Sequence, residues 1–470
     1  MGSLQVFDRQ MHLSWWNQEK IRKTSVFLLA NEPLAYLAAL ALVAVGYGKI
    51  YIVGSREVKD FKILFSRYTG NFAKGVEEFV DTYLGKYLMD YGIEIVPITI
   101  NLGSDSTLNL LKNIIEDDDN EQKIVLDFST APVIKIYLRK LIKMTRLPAY
   151  VASLAGDLKV MFLSDYINRK RKIVMPKTSG FPKVYARSVK AQSKIRPDEH
   201  LYLLASGLTI GEMTMYIQDE EGELFVPVPE IPYPFRGLGN LNTYAGSFRR
   251  VAIIGCGALG TFYAIQLALL QNMRMLRIKE VIFVDPDDID VVNFNRQIIY
   301  WGDTIGRPKA EVMAERFQSM VYDPTVTTYH VGLFSEVKNR LTDVDLIIEG
   351  VDNWEARKEI TSFAIKNKIP LITSGVSILA GHETYYIPHK TYCPYHSIAL
   401  ADKKDPDVPV GCMRIEPSII FTNITIATLA ILNSLCLAEP LNGVTYYSLR
   451  GGYEISERFK LEKFDGSCGD

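Results

Sequence analysis

The amino-acid sequence writes one structural pattern twice, and that repetition limits the fold more than any other feature. Ser25–Ser55 runs as a short β-rich stretch, a turn, an apolar helix-like stretch and a second β-rich stretch, and Arg250–Pro286 does the same. Lys123–Asp165 lies over Asp345–Pro388, each reading strand, loop, helix, strand and a turn into a further strand. Leu201–Ile217 and Ile415–Ile431 then supply apolar helix-like segments, each followed by a polar turn and a β-rich piece. Strands that alternate with crossover helices build mainly parallel sheets. The expectation is an α/β chain of two tandem domains, 1–240 and 246–470, joined through the Gly-rich Gly237–Ser247. Matching elements at matching offsets favour a duplication. Two such halves are expected to face each other about a pseudo-twofold axis within the one chain.

Composition narrows the function. At 470 residues the chain is about three times the ~150-residue prior for one domain, so one core is not enough. Lys+Arg total 53 against Asp+Glu 54, which disfavours a protein that grips nucleic acid. Five cysteines are too few for a disulfide framework, so a reducing cytoplasm is expected. No basic stretch followed by an apolar stretch opens the sequence, so no secretory signal is read. Two apolar runs resemble membrane spans. Val26–Tyr47 is broken by Asn31, Glu32 and Pro33, and Ser418–Ala438 carries Thr422, Asn423, Thr425, Thr428 and Asn433. Both are better explained as buried elements than as spans.

The chemistry sits in the second copy. Gly255-Cys256-Gly257-Ala258-Leu259-Gly260 follows an apolar strand and opens an apolar helix, the setting in which backbone N–H groups cradle phosphate. Asp285 ends the next strand, where a carboxylate holds ribose hydroxyls. Asn293, Asn295, Arg296 and Gln297 follow, and Lys309 comes after a Gly306-Arg307-Pro308 turn. An Arg and a Lys beyond the ribose-binding Asp suit a polyphosphate better than a nicotinamide. Asp352 and Asn353 fall at a further strand's carboxyl end, where ligands of open α/β sheets bind. A carboxylate there suits Mg²⁺ beside phosphate, while the same dipeptide also suits a helix cap.

These pieces together resemble the ThiF–MoeB-type adenylating superfamily: the ubiquitin-activating enzymes and the bacterial enzymes that activate sulfur carriers for thiamine and molybdopterin synthesis. The resemblance covers GCGALG, the Asp285 string through Gln297, GRPKAEV and GVDNWEAR, in the family's order. It implies Rossmann-like ThiF-type domains, with Asp285 on the ATP ribose, Asn293, Arg296 and Lys309 on the phosphates, and Asp352 on Mg²⁺. FDRQ near the N-terminus resembles the family's opening motif with Phe7 in place of Tyr, which implies that Arg9 of the first half reaches phosphate in the second half's site.

Aligned on the repeat, Ala30, Glu32 and Ala35 replace Gly255, Gly257 and Gly260 in the first half, Gly54 replaces Asp285, and Thr130 replaces Asp352. The first half is therefore expected not to bind ATP. The family often captures its acyl adenylate on a cysteine. The crossover loop 390–416 offers Cys393 and Cys412, and Cys412 is favoured because Arg414 and a helix starting near Pro417 would stabilise its thiolate. Cys256 and Cys436 are expected to be structural. The family's zinc site is degenerate here: Cys393, His396 and Cys468 remain, and a metal-free remnant is expected.

The resemblance thus implies adenylation, with ATP and Mg²⁺, of a small ubiquitin-like protein ending in Gly-Gly, then a thioester on Cys412 and transfer to a conjugating enzyme. Activation of a sulfur carrier, without a conjugating enzyme, is the alternative. A nicotinamide-dependent dehydrogenase and a nucleotide-binding scaffold without turnover stay open as different classes.

Overall fold

The computed structural model describes residues 5–30, 32–54, 57–102, 104–129, 132–153, 159–163, 201–218, 230–232, 246–389, 391, 394, 417–435 and 444–448. Cys393, His396, Cys412, Cys436, Cys468 and Thr130 lie outside these residues, as does most of the Gly237–Ser247 linker. The chain divides into two compact units: Met1–Arg236 with Arg450–Tyr453, and Gly237–Leu449 with Glu454–Asp470.

The first unit is built on β1 (Thr24–Leu29), helix α1 (Tyr36–Val45), β2 (Lys49–Val53), β3 (Glu57–Ile63), β4 (Ser66–Asn71), α2 (Phe72–Tyr83), β5 (Glu94–Ile98), α3 (Asp105–Asp117), β6 (Gln122–Asp127), α4 (Pro132–Thr145), β7 (Ala149–Ser153), β8 (Lys159–Leu163), α5 (Tyr202–Gln218) and β9 (Glu230–Pro232). Its seven-stranded sheet has the order β5-β2-β1-β6-β7-β8-β9, parallel except at the β7–β8 and β8–β9 pairs. Every residue of β1 is buried, as expected of a central strand covered on both faces. Helix α1 is apolar and buried all round, and it ends at Gly46, whose φ of +95° only glycine adopts easily.

The second unit repeats this order with β10 (Gly246–Ile254), α6 (Ala258–Asn272), β11 (Leu276–Asp285), α7 (Lys309–Met320), β12 (Val326–Val331), β13 (Leu346–Glu349), α8 (Trp354–Asn367), β14 (Leu371–Val376), β15 (Ala380–Tyr386), α9 (Ile420–Leu435) and β16 (Val444–Ser448). Its sheet runs β12-β11-β10-β13-β14-β15-β16, with only the last two pairs antiparallel. Both units are α/β layers with mainly parallel sheets, and the shared strand order is compatible with duplication. In each sheet the order reverses beside the first strand, which opens a crevice at the strands' carboxyl ends.

The two apolar runs resolve as buried elements. The first becomes β1 and α1, and the second contains α9, where Thr425 and Asn423 bond the helix's own backbone and Thr422 and Asn433 bond Ile378 and Glu383. Thr425 donates to the Phe421 carbonyl at 2.8 Å, and the Asn423 amide to the Ile419 carbonyl at 2.8 Å. Among the described residues no helix is long and apolar enough to cross a membrane.

One buried acid marks the first unit's core. Glu212 on α5 is 2% exposed, its Oε2 has no hydrogen-bond partner among the described residues, and burial pushes its carboxyl up to about 8. Folding therefore retains a proton that the unfolded chain releases above its ordinary value of 4.5. Stability from this group is full below that value and is lost as pH rises towards 8. Glu212→Gln is expected to raise unfolding free energy by about 3 kcal/mol at pH 7, from ~1.4 kcal/mol per pH unit. Calorimetry at pH 4.5 and pH 7 checks it: the gain should be much larger at pH 7, and an equal gain at both contradicts it.

Candidate active site

Strand β10 lies between β11 and β13, and the carboxyl ends of these three strands form the candidate site. The chain leaves β10 at Gly255 with φ +89°, a conformation that other residues rarely adopt. A Cβ there would stand 2.8 Å from the Gly350 carbonyl group and 2.9 Å from the Val351 nitrogen. On Gly260 a Cβ would collide with the Gly255 carbonyl oxygen. Both glycines are thus required by packing. Gly257 is different, since nothing lies within 4 Å of the place its Cβ would take. It is the N-cap of α6 and offers no side-chain cap, so the first-turn N–H groups of Ala258, Leu259 and Gly260 have no intrahelical acceptor.

Asp285 fixes this loop from below. Its Oδ2 accepts the Cys256 N–H at 2.6 Å, and its Oδ1 accepts the Asp287 N–H at 2.9 Å. Burial raises its carboxyl above the usual range, and Lys309 pulls it the other way. Cys256 is buried, and burial followed by the Asp285 charge pushes its thiol well up, which suits a structural cysteine rather than a nucleophile. The Tyr300 hydroxyl donates to the Cys256 carbonyl at 2.6 Å and ties the loop to the segment beyond.

That segment is folded on itself. Asn293 and Asp290 form a reciprocal cap, with the Asp290 N–H donating to Asn293 Oδ1 at 2.9 Å. Arg296 is 8% exposed, and its Nη1 donates to the Val292 carbonyl at 2.8 Å and to Asn295 Oδ1 at 2.9 Å. Gln297 is buried, with Oε1 lacking a hydrogen-bond partner among the described residues. Lys309 opens α7, is 8% exposed, and its Nζ pairs with Asp287 Oδ2 at 2.8 Å. Two nearly buried cations therefore lie beyond Asp285, and Lys309 leans on a carboxylate that is itself mostly exposed.

At the end of β13, Asn353 caps α8 by accepting the Ala356 N–H at 2.7 Å. The cap use of this side chain, one of the two open from the sequence, is the one present. Asp352 is exposed, and its carboxylate has no hydrogen bond or ion pair among the described residues. Among the described residues no group of three or more His, Cys, Asp or Glu side chains is arranged to hold a metal ion. A lone outward carboxylate does fit Mg²⁺, which keeps several waters and takes other oxygens from phosphate.

Residues 235–469, half of the chain, match the ThiF family model. The chain belongs to the ThiF family. The NEDD8-activating enzyme E1 catalytic subunit of Saccharomyces cerevisiae is 29% identical over 180 residues, covering 36% of this chain and 58% of that protein. The sulfur carrier protein ThiS adenylyltransferase of Escherichia coli is 31% identical over 126 residues, 27% of this chain and 48% of that one. The tRNA threonylcarbamoyladenosine dehydratase of Haemophilus influenzae is 31% identical over 149 residues, 30% and 54% respectively. The chain spans about half the length of the curated relatives it matches.

In this ThiF-family chain the first unit keeps the backbone pattern and changes the side chains. Ala30 N–H donates to the Val53 carbonyl as Gly255 N–H does to Val284, and Phe128 N–H donates to Leu29 as Gly350 N–H does to Ile254. Ala30 and fully buried Phe128 thus occupy the two places held by Gly255 and Gly350. Gly54 follows Val53 as Asp285 follows Val284.

Arg9 lies on the short helix Asp8–Met11 of the first unit. Its neighbours explain the FDRQ string. Phe7 is buried with its ring 4.5 Å from that of Tyr91, and Gln10 is buried with its amide on the Val45 carbonyl at 2.8 Å and Gln18 Oε1 at 2.7 Å. Gln10 therefore satisfies a carbonyl at the open C-terminus of α1.

The sequence reading missed Asp287, and it missed a buried group under the Asp352 turn: Glu349, Arg357 and His382. Burial, then Arg357, pushes His382 down to about 3, so it stays neutral. Glu349 had a signal, since a carboxylate ending a buried apolar strand needs a partner. His382 had none.

The glycines separate packing from ligand binding. Gly257→Ala should keep thermal stability within about 1 kcal/mol of the parent while weakening ATP binding at least tenfold. Gly255→Ala should lose several degrees of melting temperature even without nucleotide. Unfolding scans beside ATP titration check both, and unchanged ATP affinity in Gly257→Ala contradicts a phosphate at that loop.

Proposed function

We propose that the second unit uses MgATP to adenylate the C-terminal carboxylate of a small carrier protein. The observation that carries this reading is the convergence, at the carboxyl ends of one sheet's strands, of an uncapped helix N-terminus, two nearly buried cations and an exposed carboxylate with no partner among the described residues. The N-terminus of α6 suits phosphate oxygens, and Gly257 leaves room for them. Asp285 suits ribose hydroxyls, with one lone pair of each oxygen already used by backbone. Val331, 50% exposed, pairs with Asp285 in the sheet, and with Leu333, two residues further on and 55% exposed, it offers an apolar shelf to a purine.

The carrier's carboxylate attacks the α-phosphorus, an acyl–adenylate bond forms, and pyrophosphate leaves with the electron pair of the broken α–β bond. Arg296 and Lys309 supply fixed positive charge where the phosphate oxygens gain negative charge, and such preorganised groups act most strongly when withdrawn from water. Lys309 can turn from Asp287 to phosphate because its ammonium carries three donors. Asp352 would hold Mg²⁺, which when bound neutralises phosphate charge. On the sequence resemblance alone, Arg9 is proposed as a further cation for this step, Asn293, Gln297 and Asn353 as nucleotide contacts, and Cys412 as the thiol that attacks the acyl adenylate, releasing AMP and leaving a thioester.

A ubiquitin-like protein ending in Gly-Gly is the preferred carrier, supported by the likeness to the NEDD8-activating subunit, with a conjugating enzyme as recipient. The likeness to the ThiS adenylyltransferase supports a sulfur carrier as the second reading.

Pyrophosphate exchange with each class of carrier tests the proposal. Asp352→Ala should lower exchange at least a hundredfold, while Cys412→Ala should leave exchange within about twofold and remove the thiol-sensitive adduct. Normal exchange in Asp352→Ala would falsify the metal assignment, and an adduct that survives in Cys412→Ala moves the nucleophile elsewhere.

A further inference from the structure

We propose that Arg357, acting with buried Glu349, is the positioning residue that aims Asp352 at a nucleotide-bound divalent cation. Glu349 ends β13 with no exposure. Its Oε1 accepts the Val351 N–H at 3.0 Å and pairs with Arg357 Nη2 at 3.4 Å, while its Oε2 accepts the Thr373 hydroxyl. The same Arg357 Nη2 donates to the Val351 carbonyl at 2.8 Å. One buried ion pair therefore holds both main-chain polar groups of Val351, the residue before Asp352.

The turn is held on its other sides as well. Gly350 N–H donates to the Ile254 carbonyl at 2.9 Å, and the Tyr263 hydroxyl donates to the Glu349 carbonyl at 3.2 Å. A Cβ on Gly350 would come within 3.0 Å of Leu259 Cβ, so the turn lies directly against the phosphate-loop helix. Asn353 then fixes the start of α8. Asp352 has no partner among the described residues, so this backbone sets where its Cα–Cβ bond points.

A buried ion pair is an inefficient way to stabilise a core, since apolar side chains of similar volume often do as well. Its better use is to fix geometry, and a metal-binding carboxylate needs its support held closely. Arg357 is 8% exposed, one turn into α8, where it serves the Val351 peptide rather than solvent.

The inference rests on the proposed use of MgATP, and the test separates the two. Mn²⁺ affinity is measured by electron paramagnetic resonance in the ternary complex of the full chain with α,β-methylene ATP, and analogue affinity is measured separately in EDTA. Two variants are used: Arg357→Lys, which keeps the charge, and Arg357→Met/Glu349→Gln, which removes both charges together and leaves no buried charge unpaired. Each should weaken Mn²⁺ at least tenfold while changing analogue affinity in EDTA less than threefold. Adding either to Asp352→Ala should cause no further loss of Mn²⁺ affinity, because both act through one carboxylate. Mn²⁺ affinity within twofold of the parent, or additive losses on the Asp352→Ala background, overturns the inference. A parent chain that binds neither the analogue nor Mn²⁺ overturns the functional reading beneath it.

Discussion

Two backbone turns, Gly255–Gly257 and Gly350–Asp352, meet with no side chain between them, and the rest of the site depends on that contact. A Cβ on Gly255 would stand 2.8 Å from the Gly350 carbonyl group, and one on Gly350 would press on Leu259 Cβ of α6 at 3.0 Å. Because the turns touch, the uncapped start of α6 and the Asp352 carboxylate are held at the same sheet edge. Asp285 completes the arrangement by accepting a main-chain N–H from the first turn while standing at the end of the neighbouring strand.

The first unit shows what happens when the contact is filled. The strand order and main-chain hydrogen bonds persist, but a methyl group at Ala30 and a buried ring at Phe128 occupy the positions of the paired glycines. Its sheet still folds because the core there is apolar, with Phe27, Leu29, Val53 and Val125 packed in one cluster. Fold and site are separable, since the fold follows from burying apolar strands and the site from leaving side chains out.

Much of the architecture was legible from alternating strand and helix patterns, because β1, α1, β10 and α6 are strongly apolar and bounded by turn residues. The residues proposed to face the nucleotide, Gly255, Asp285, Arg296, Lys309 and Asp352, could be picked out of the sequence as a set. What lay beneath them was not. The Glu349–Arg357 pair joins a strand end to a helix eight residues later, a spacing with no local periodicity. His382 meets Gly375 only because β14 and β15 pair antiparallel. Phe128 has no signal in the sequence; hydrogen-bond register gives it the place in the first unit that Gly350 has in the second. Asn353 carried two readings, and only its bond to Ala356 showed the cap in use.

In the site as it stands, Lys309 pairs with Asp287, and Arg296 donates to backbone and amide oxygens. Under the proposed reading, MgATP binding exchanges these partners for phosphate. Hydrogen–deuterium exchange of the full chain, with and without MgATP, tests this most directly. Slowed exchange is predicted across 255–261, 285–297 and 350–357, with no change across 30–37. Protection centred on 30–37, with the second-unit loops unaltered, would contradict the account.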